Sequence, residues 1–178
     1  MPRLVLRPMP QPAEGTCIGT YEGAPLVMLE RSYLANGVLL AQDAIGEDLV
    51  QAVDTAATRV LGHEWVSSLA RLMQINRRST SKDRIAKFGL PEYVMLFLAQ
   101  ASAHSHPRAL GHALLCVEEI QEGVVESRHV TGRPARVDTI QRDMDVRETM
   151  QRALAVVDEV LAEREAFRAR KANPLTDE

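Results

Sequence analysis

One change of hydrophobic period divides this chain. Before Gly46 the apolar residues come in short runs broken by turn chemistry, and after it they recur at helical spacing. Thr16 to Gln42 therefore reads as a short β region. Cys17, Ile18 and Tyr21 form one run and Leu26 to Leu29 another, with Glu22-Gly23 as turn chemistry between them. Asn36-Gly37 separates Tyr33-Leu34 from Val38-Leu39-Leu40. Asn-Gly tolerates the positive φ angles of a type I′ turn, so the pair is a hairpin signal. Residues 1–15 hold four prolines and read as an extended arm.

From Gly46 onward Leu49, Val50, Val53, Ala56, Ala57 and Val60 fall on one helical face, and Gly62 follows as a stop. Glu47 and Asp48 are expected in the first turn, where the positive helix end favours acids. Three further helices are expected between Trp65 and Gly123. Tyr93 to Ala99 is apolar around most of a helix, which suits the centre of a bundle or, as the alternative, a subunit interface. The last of the three opens at Pro107, suited to a first helical position, and ends at Gly123. Gly123 to Arg136 is a connection, holding a short strand or a linker. Val137 to Ala172 reads as a long charged helix with a narrow apolar stripe of Met150, Leu154, Val157 and Leu161. Pairs such as Glu148–Arg152 support it, and the tail past Asn173 is expected to fray.

The length, 178 residues, suits one ordinary domain, or a small domain with an appendage. Hydrophobic residues at 46% and charged residues at 25% exclude a chain disordered throughout. Aromatics are only 4%, so aliphatic side chains must build the core. Two cysteines, Cys17 and Cys116, are too few for a disulfide scaffold and lack metal-ligand spacing. The N-terminus has no apolar stretch of signal-peptide length, and the longest apolar run falls far short of the roughly 20 residues of a spanning helix. The expectation is a soluble cytoplasmic protein with no membrane partner.

One segment stands out by charge. Between His63 and Leu90 lie six cations, Arg71, Arg77, Arg78, Lys82, Arg84 and Lys87, against two anions, Glu64 and Asp83. That local surplus sits in a chain of net charge −3. It concentrates positive potential where a phosphate backbone would be attracted. The pattern suggests two helices and a tight turn. Leu69, Ala70, Leu72 and Met73 lie on the first helix, and Gln74-Ile75-Asn76 is the turn. Arg77 to Phe88 is the second helix, with Ile85 and Phe88 facing inward.

The run LARLMQINRRSTSKDRI resembles the helix-turn-helix of phage-repressor-like bacterial regulators. The likeness rests on Leu-Ala-Arg in the first helix, Ile75-Asn76 in the turn and Arg-Arg-Ser/Thr opening the second helix. It covers about residues 65–90. Gln74 occupies the place usually held by Gly, which calls for a non-Gly residue in a left-handed conformation. Thr80 and Asp83 stand where apolar packing residues are more usual. The resemblance implies sequence-specific binding of double-stranded DNA, commonly as a homodimer. Arg77, Arg78, Ser79, Ser81 and Lys82 would face the groove, Arg71, Arg84 and Lys87 would touch phosphates, and Asn76 would join them from the turn.

The expected fold is mainly α: a helical bundle with a helix-turn-helix within a helical domain of residues 43–123, a small N-terminal β-hairpin element and a long C-terminal helix. The expected function is a DNA-binding regulator of bacterial or phage origin, acting by occupancy rather than by catalysis, without cofactor or metal. Two other readings compete. A non-enzymatic adaptor or small effector would use the acidic helices and the 150–161 stripe to hold a protein partner. A metal-dependent enzyme would use His104, His106 and His112, but no carboxylate lies within that segment, and a surface loop explains it more simply. Cys116 with His112 is an i,i+4 pair, but it belongs to an apolar stretch and reads as a core thiol. No Gly-rich phosphate loop and no nucleophile-elbow serine is present in the sequence.

Overall fold

The computed structural model describes residues 2–126 and 139–172. Five strands come first: β1 (Leu4–Leu6), β2 (Thr16–Tyr21), β3 (Ala24–Leu29), β4 (Ser32–Ala35) and β5 (Val38–Leu40). The helices follow: α1 (Gln42–Leu61), α2 (Trp65–Leu72), a 3-10 turn at Arg77–Thr80, α3 (Lys82–Phe88), α4 (Glu92–Ser102), α5 (Pro107–Glu126) and α6 (Thr139–Ala172). By its contacts the chain divides into two compact units, Met1–Glu118 and Glu119–Glu178.

In the first unit all five strands form one antiparallel sheet in sequence order, β1-β2-β3-β4-β5. Two-residue turns make the order of β2 to β5 the direct outcome of the sequence, while a longer connection leads from β1 to β2. Glu22-Gly23 turns β2 into β3 with φ of 49° and 86°, and Asn36-Gly37 turns β4 into β5 with φ of 51° and 78°. Both pairs have the two positive φ values of a type I′ turn, whose twist matches that of the flanking strands. A register shift between Cys17 and Gly19 leaves Ile18 without a partner in β3. On the other side of β2 the side chain of Gln11 takes the place of a strand. Its Nε2 donates to the Cys17 carbonyl (3.1 Å), and its Oε1 accepts from the Cys17 amide (2.9 Å).

The sheet packs its Leu4, Leu6, Ile18, Leu26, Met28 and Tyr33 into one core with α1 and α4. α1 supplies Ile45, Leu49, Val53, Ala57 and Val60, and α4 supplies Val94, Met95, Leu98 and Ala99, all of them inaccessible to solvent. Trp65 opens α2 beneath this layer, and its indole donates to Asp54 Oδ1 of α1 at 3.0 Å. A buried indole needs such a partner for its N–H.

The architecture corrects the expected fold class. The molecule is α+β, with a five-stranded antiparallel sheet, and is not a mainly α bundle carrying a small β-hairpin element. The missing strand was β1. Prolines at positions 2, 8, 10 and 12 made residues 1–15 look like an arm, but Leu4–Leu6 between them pair with Gly19–Tyr21. Helix α1 begins at Gln42, not Gly46, so Glu47 and Asp48 lie beyond the first turn. Gly123 does not stop α5, which continues to Glu126. Of the connection at 123–136, residues 127–136 lie outside the described residues, as does the tail after Asn173.

In the second unit α6 spans 34 residues. Its stripe residues Leu154, Val157 and Leu161 are 66, 53 and 48% exposed. Among the described residues no helix is long and apolar enough to cross a membrane.

Candidate nucleic-acid interface

The basic segment is built from its first helix outward. α2 buries Trp65, Leu69 and Ala70 and ends in a turn with two paired carbonyls. The Gln74 amide donates to the Arg71 carbonyl (3.0 Å), and the Ile75 amide donates to the Ala70 carbonyl (2.9 Å). Gln74 stands between them with φ 52°. This is a Schellman end, whose left-handed position usually falls to glycine. Gln74 thus adopts the conformation that its place in the sequence demanded.

Asn76 starts the next turn. Its Oδ1 accepts from the Arg78 amide at 2.9 Å, satisfying a donor that the short 3-10 turn leaves open. The expected single helix from Arg77 to Phe88 is instead two pieces, Arg77–Thr80 and Lys82–Phe88, parted at Ser81, whose backbone is extended. Thr80 explains the break. It is fully buried, and its hydroxyl lies 2.7 Å from the Arg77 carbonyl and 3.0 Å from the Val66 carbonyl of α2. A buried hydroxyl must find acceptors, and these hold the chain in the tight turn. Ser81 Oγ donates to the Arg78 carbonyl at 2.9 Å.

In α3 only Ile85 is buried. Phe88, expected to face inward, is 47% exposed. It instead carries the Arg84 guanidinium 4.5 Å above its ring and the Lys87 ammonium at 5.4 Å. Such cation–π contacts keep cations in place without neutralising them. Asp83, which stands where an apolar residue is more usual, is exposed and takes no part in the core. α3 lies tight on α1: a Cβ at Gly46 would stand 2.5 Å from the Ala86 carbonyl oxygen. Gln42 Nε2 donates to that same oxygen at 2.8 Å.

The nine candidate residues therefore fall into two groups. Asn76, Arg77, Arg78, Arg84 and Lys87 are exposed along the 3-10 turn and α3, with Ser79 and Ser81 half-buried between them. Arg71 and Lys82 are engaged with the protein's own acids. Arg71 Nη2 is 3.2 Å from Glu118 Oε2 of α5, where Glu118 is buried, and Lys82 Nζ is 3.6 Å from Asp54 Oδ1 of α1. Sequence reading missed both partners, because Asp54 and Glu118 lie far along the chain.

A groove of about 470 Å³ opens beside α3. The β3–β4 turn contributes Glu30 and Arg31 to it, and Ser79, Arg84 and Phe88 line the other wall. This neighbour was also invisible in the sequence, since only the sheet brings Arg31 there. On the opposite flank, Asp43, Glu47 and Asp54 of α1 lie beside Lys82, Asp83 and Lys87.

No family model, curated protein or solved structure matches this chain.

The other constellations do not assemble. His104, His106 and His112 are all exposed. His104 Nδ1 accepts from the His106 amide at 3.1 Å, and the two rings meet edge to face at 6.5 Å. Among the described residues no group of three His, Cys, Asp or Glu side chains is gathered as a metal ion would need. Cys116 is half-buried and Cys17 buried, both as free thiols.

Proposed function

We propose that this protein is a regulator that binds duplex DNA at specific sequences, in the bacterial or phage setting that its resemblance implies, acting in the cytoplasm as a homodimer. One observation carries the reading. The segment after α2 is anchored from beneath by Thr80 and Ile85, while Asn76, Arg77, Arg78 and Arg84 stand exposed on its outer side. A rigid turn that presents arginines to solvent suits the two tasks of a DNA reader. Arginine holds phosphates, and it can also bind guanine through two parallel hydrogen bonds.

The geometry refines the expected contacts. Arg77, Arg78, Ser79 and Ser81 remain the residues for the groove. Arg84 and Lys87 remain available for phosphates. Arg71 and Lys82 would have to leave Glu118 and Asp54 to reach DNA, so their part is smaller.

The test is a salt titration of binding to random-sequence duplex, with an Arg77→Glu/Arg78→Glu variant alongside. Binding that falls steeply with salt and is lost in the variant supports the reading. No binding by the parent protein at low salt removes it. Once a site is known, Arg78→Ala should weaken that site more than bulk DNA.

The exposed stripe of α6 favours a second reading, protein–protein association through that helix. A surface of Leu154, Val157 and Leu161 on a long charged helix suits a helical partner. Sedimentation of the full chain and of a Leu154→Lys/Leu161→Lys variant tests it. A homodimer converted to monomers would assign the stripe to self-association.

A further inference from the structure

The exposed arginines around α3 are unevenly placed, and the unevenness has a direction. Among the described residues no ion pair engages Arg31, Arg77, Arg78 or Arg84. Lys82 and Lys87 border the flank that faces α1, where Lys82 is paired with Asp54, and Asp43, Glu47 and Asp83 leave carboxylates in excess. A polyanion approaching α3 meets repulsion on the α1 flank and free guanidinium groups on the other. Potentials of this kind steer and orient charged partners before contact.

On the favourable flank stands the β3–β4 turn. Glu30, with φ 56°, bends the chain there, and Arg31 follows, exposed to solvent. Arg31 and Arg84 line the same groove together with Ser79. The groove holds two carboxylates as well. Glu92 Oε1 accepts a hydrogen bond from the Thr16 hydroxyl and serves the fold, whereas Glu30 is exposed on the turn. We propose that the β3–β4 turn is a second DNA-contacting element. Arg31 holds a backbone phosphate next to the one held by Arg84, so the duplex runs on the hairpin side of α3 and away from the acidic seam of α1. This rests on the duplex-DNA reading above and adds to it a sheet residue that the basic segment does not contain. Such a contact positions the protein without reading bases.

The test uses the full chain and random-sequence duplex DNA across a salt series. Arg31→Ala is compared with Arg7→Ala, which removes the same charge just past β1, the edge strand that β2 separates from β3. Arg31→Ala should weaken binding roughly 3- to 10-fold near 0.1 M salt and lower the salt slope by about one. Arg7→Ala should leave the slope unchanged, and Glu30→Gln should strengthen binding a few-fold. Equal effects of Arg31→Ala and Arg7→Ala would overturn the proposal, because net charge alone would then account for both. A parent protein that binds, with an Arg77→Glu/Arg78→Glu variant that does not and an Arg31→Ala variant of unchanged slope, would reject Arg31 while leaving the DNA reading in place. A parent protein that does not bind DNA at all would reject both.

Discussion

Gly46 lies directly against the backbone of Ala86, with room for no side-chain atom between α1 and α3. A Cβ placed 2.5 Å from a carbonyl oxygen overlaps a rigid group. Alanine normally favours a helix interior over glycine by about 1 kcal/mol. Here that preference should be reversed. Gly46→Ala is expected to lower stability by about 1–3 kcal/mol through overpacking, read as a fall in the denaturant midpoint. Since α3 must move to relieve the clash, the proposed binding to duplex DNA, once demonstrated for the parent protein, should weaken along with it. A stability equal to or above the parent's would show that the helices separate freely.

Gln74 invites the opposite change. Its φ of 52° is a conformation that most L-residues adopt only at a cost. Gln74→Gly should raise stability by about 1 kcal/mol if the Schellman turn is retained. Thermal unfolding of the two proteins at equal concentration measures it. A lower melting temperature would mean that the Gln74 side chain contributes more than its strained backbone costs.

Thr80 separates packing from hydrogen bonding. Thr80→Val keeps the volume but removes the hydroxyl that lies against the Arg77 and Val66 carbonyls. The loss should be about 1–2 kcal/mol. Thr80→Ser, which keeps the hydroxyl and removes a buried methyl group, should lose about 1 kcal/mol for the methyl. If the hydroxyl fixes the turn, only Thr80→Val should also change the near-ultraviolet circular dichroism of the adjoining Trp65 region.

Tyr33 predicts a response to alkali. Burial of its ring pushes the phenol pKa up from 10.0 to about 12. The hydroxyl is buried and makes no hydrogen bond. The folded protein therefore holds this proton more tightly than the unfolded chain does. Its contribution is complete below about pH 10, where both states are protonated, and is lost as pH rises from about 10 to 12. The loss approaches 3 kcal/mol, at about 1.4 kcal/mol for each pKa unit. Tyr33→Phe should flatten the stability profile across that window and leave neutral-pH stability near the parent's, because no bonded partner is removed. Denaturant unfolding at a series of pH values reads both.

Much of the chain was legible, for identifiable reasons. The face of α1 followed from Leu49, Val53, Ala56, Ala57 and Val60, because one side of that helix meets a core and the period survives. The turns at Glu22-Gly23 and Asn36-Gly37 followed from local chemistry that needs no tertiary information. Gln74, at the position where the resemblance called for a left-handed residue, has φ 52°. β1 was hidden because three residues give no period to read, and prolines surround them. The break at Ser81 was hidden because its cause, the Val66 carbonyl beneath Thr80, is a contact across two elements. Phe88 misled for a related reason. An aromatic residue at inward spacing normally means core, yet here it carries Arg84 and Lys87 on its face. The pairing of Arg71 with Glu118 and of Lys82 with Asp54 lay beyond sequence reading altogether, since partners 47 and 28 residues away leave no local trace.

The four-residue turn at Arg77–Thr80 and the seven-residue α3 are each too short to hold themselves in water. Their shape is set from below by Thr80 and Ile85 and at the entry by the Asn76 cap, and not by the arginine side chains that look outward. The arginine positions are thereby released from any duty to the fold. Exchanging Arg77, Arg78 or Arg84 for other side chains would change the charge and shape this surface presents while the scaffold beneath it stays the same; on the proposed DNA reading, that makes the segment a place where a lineage could acquire new targets one residue at a time.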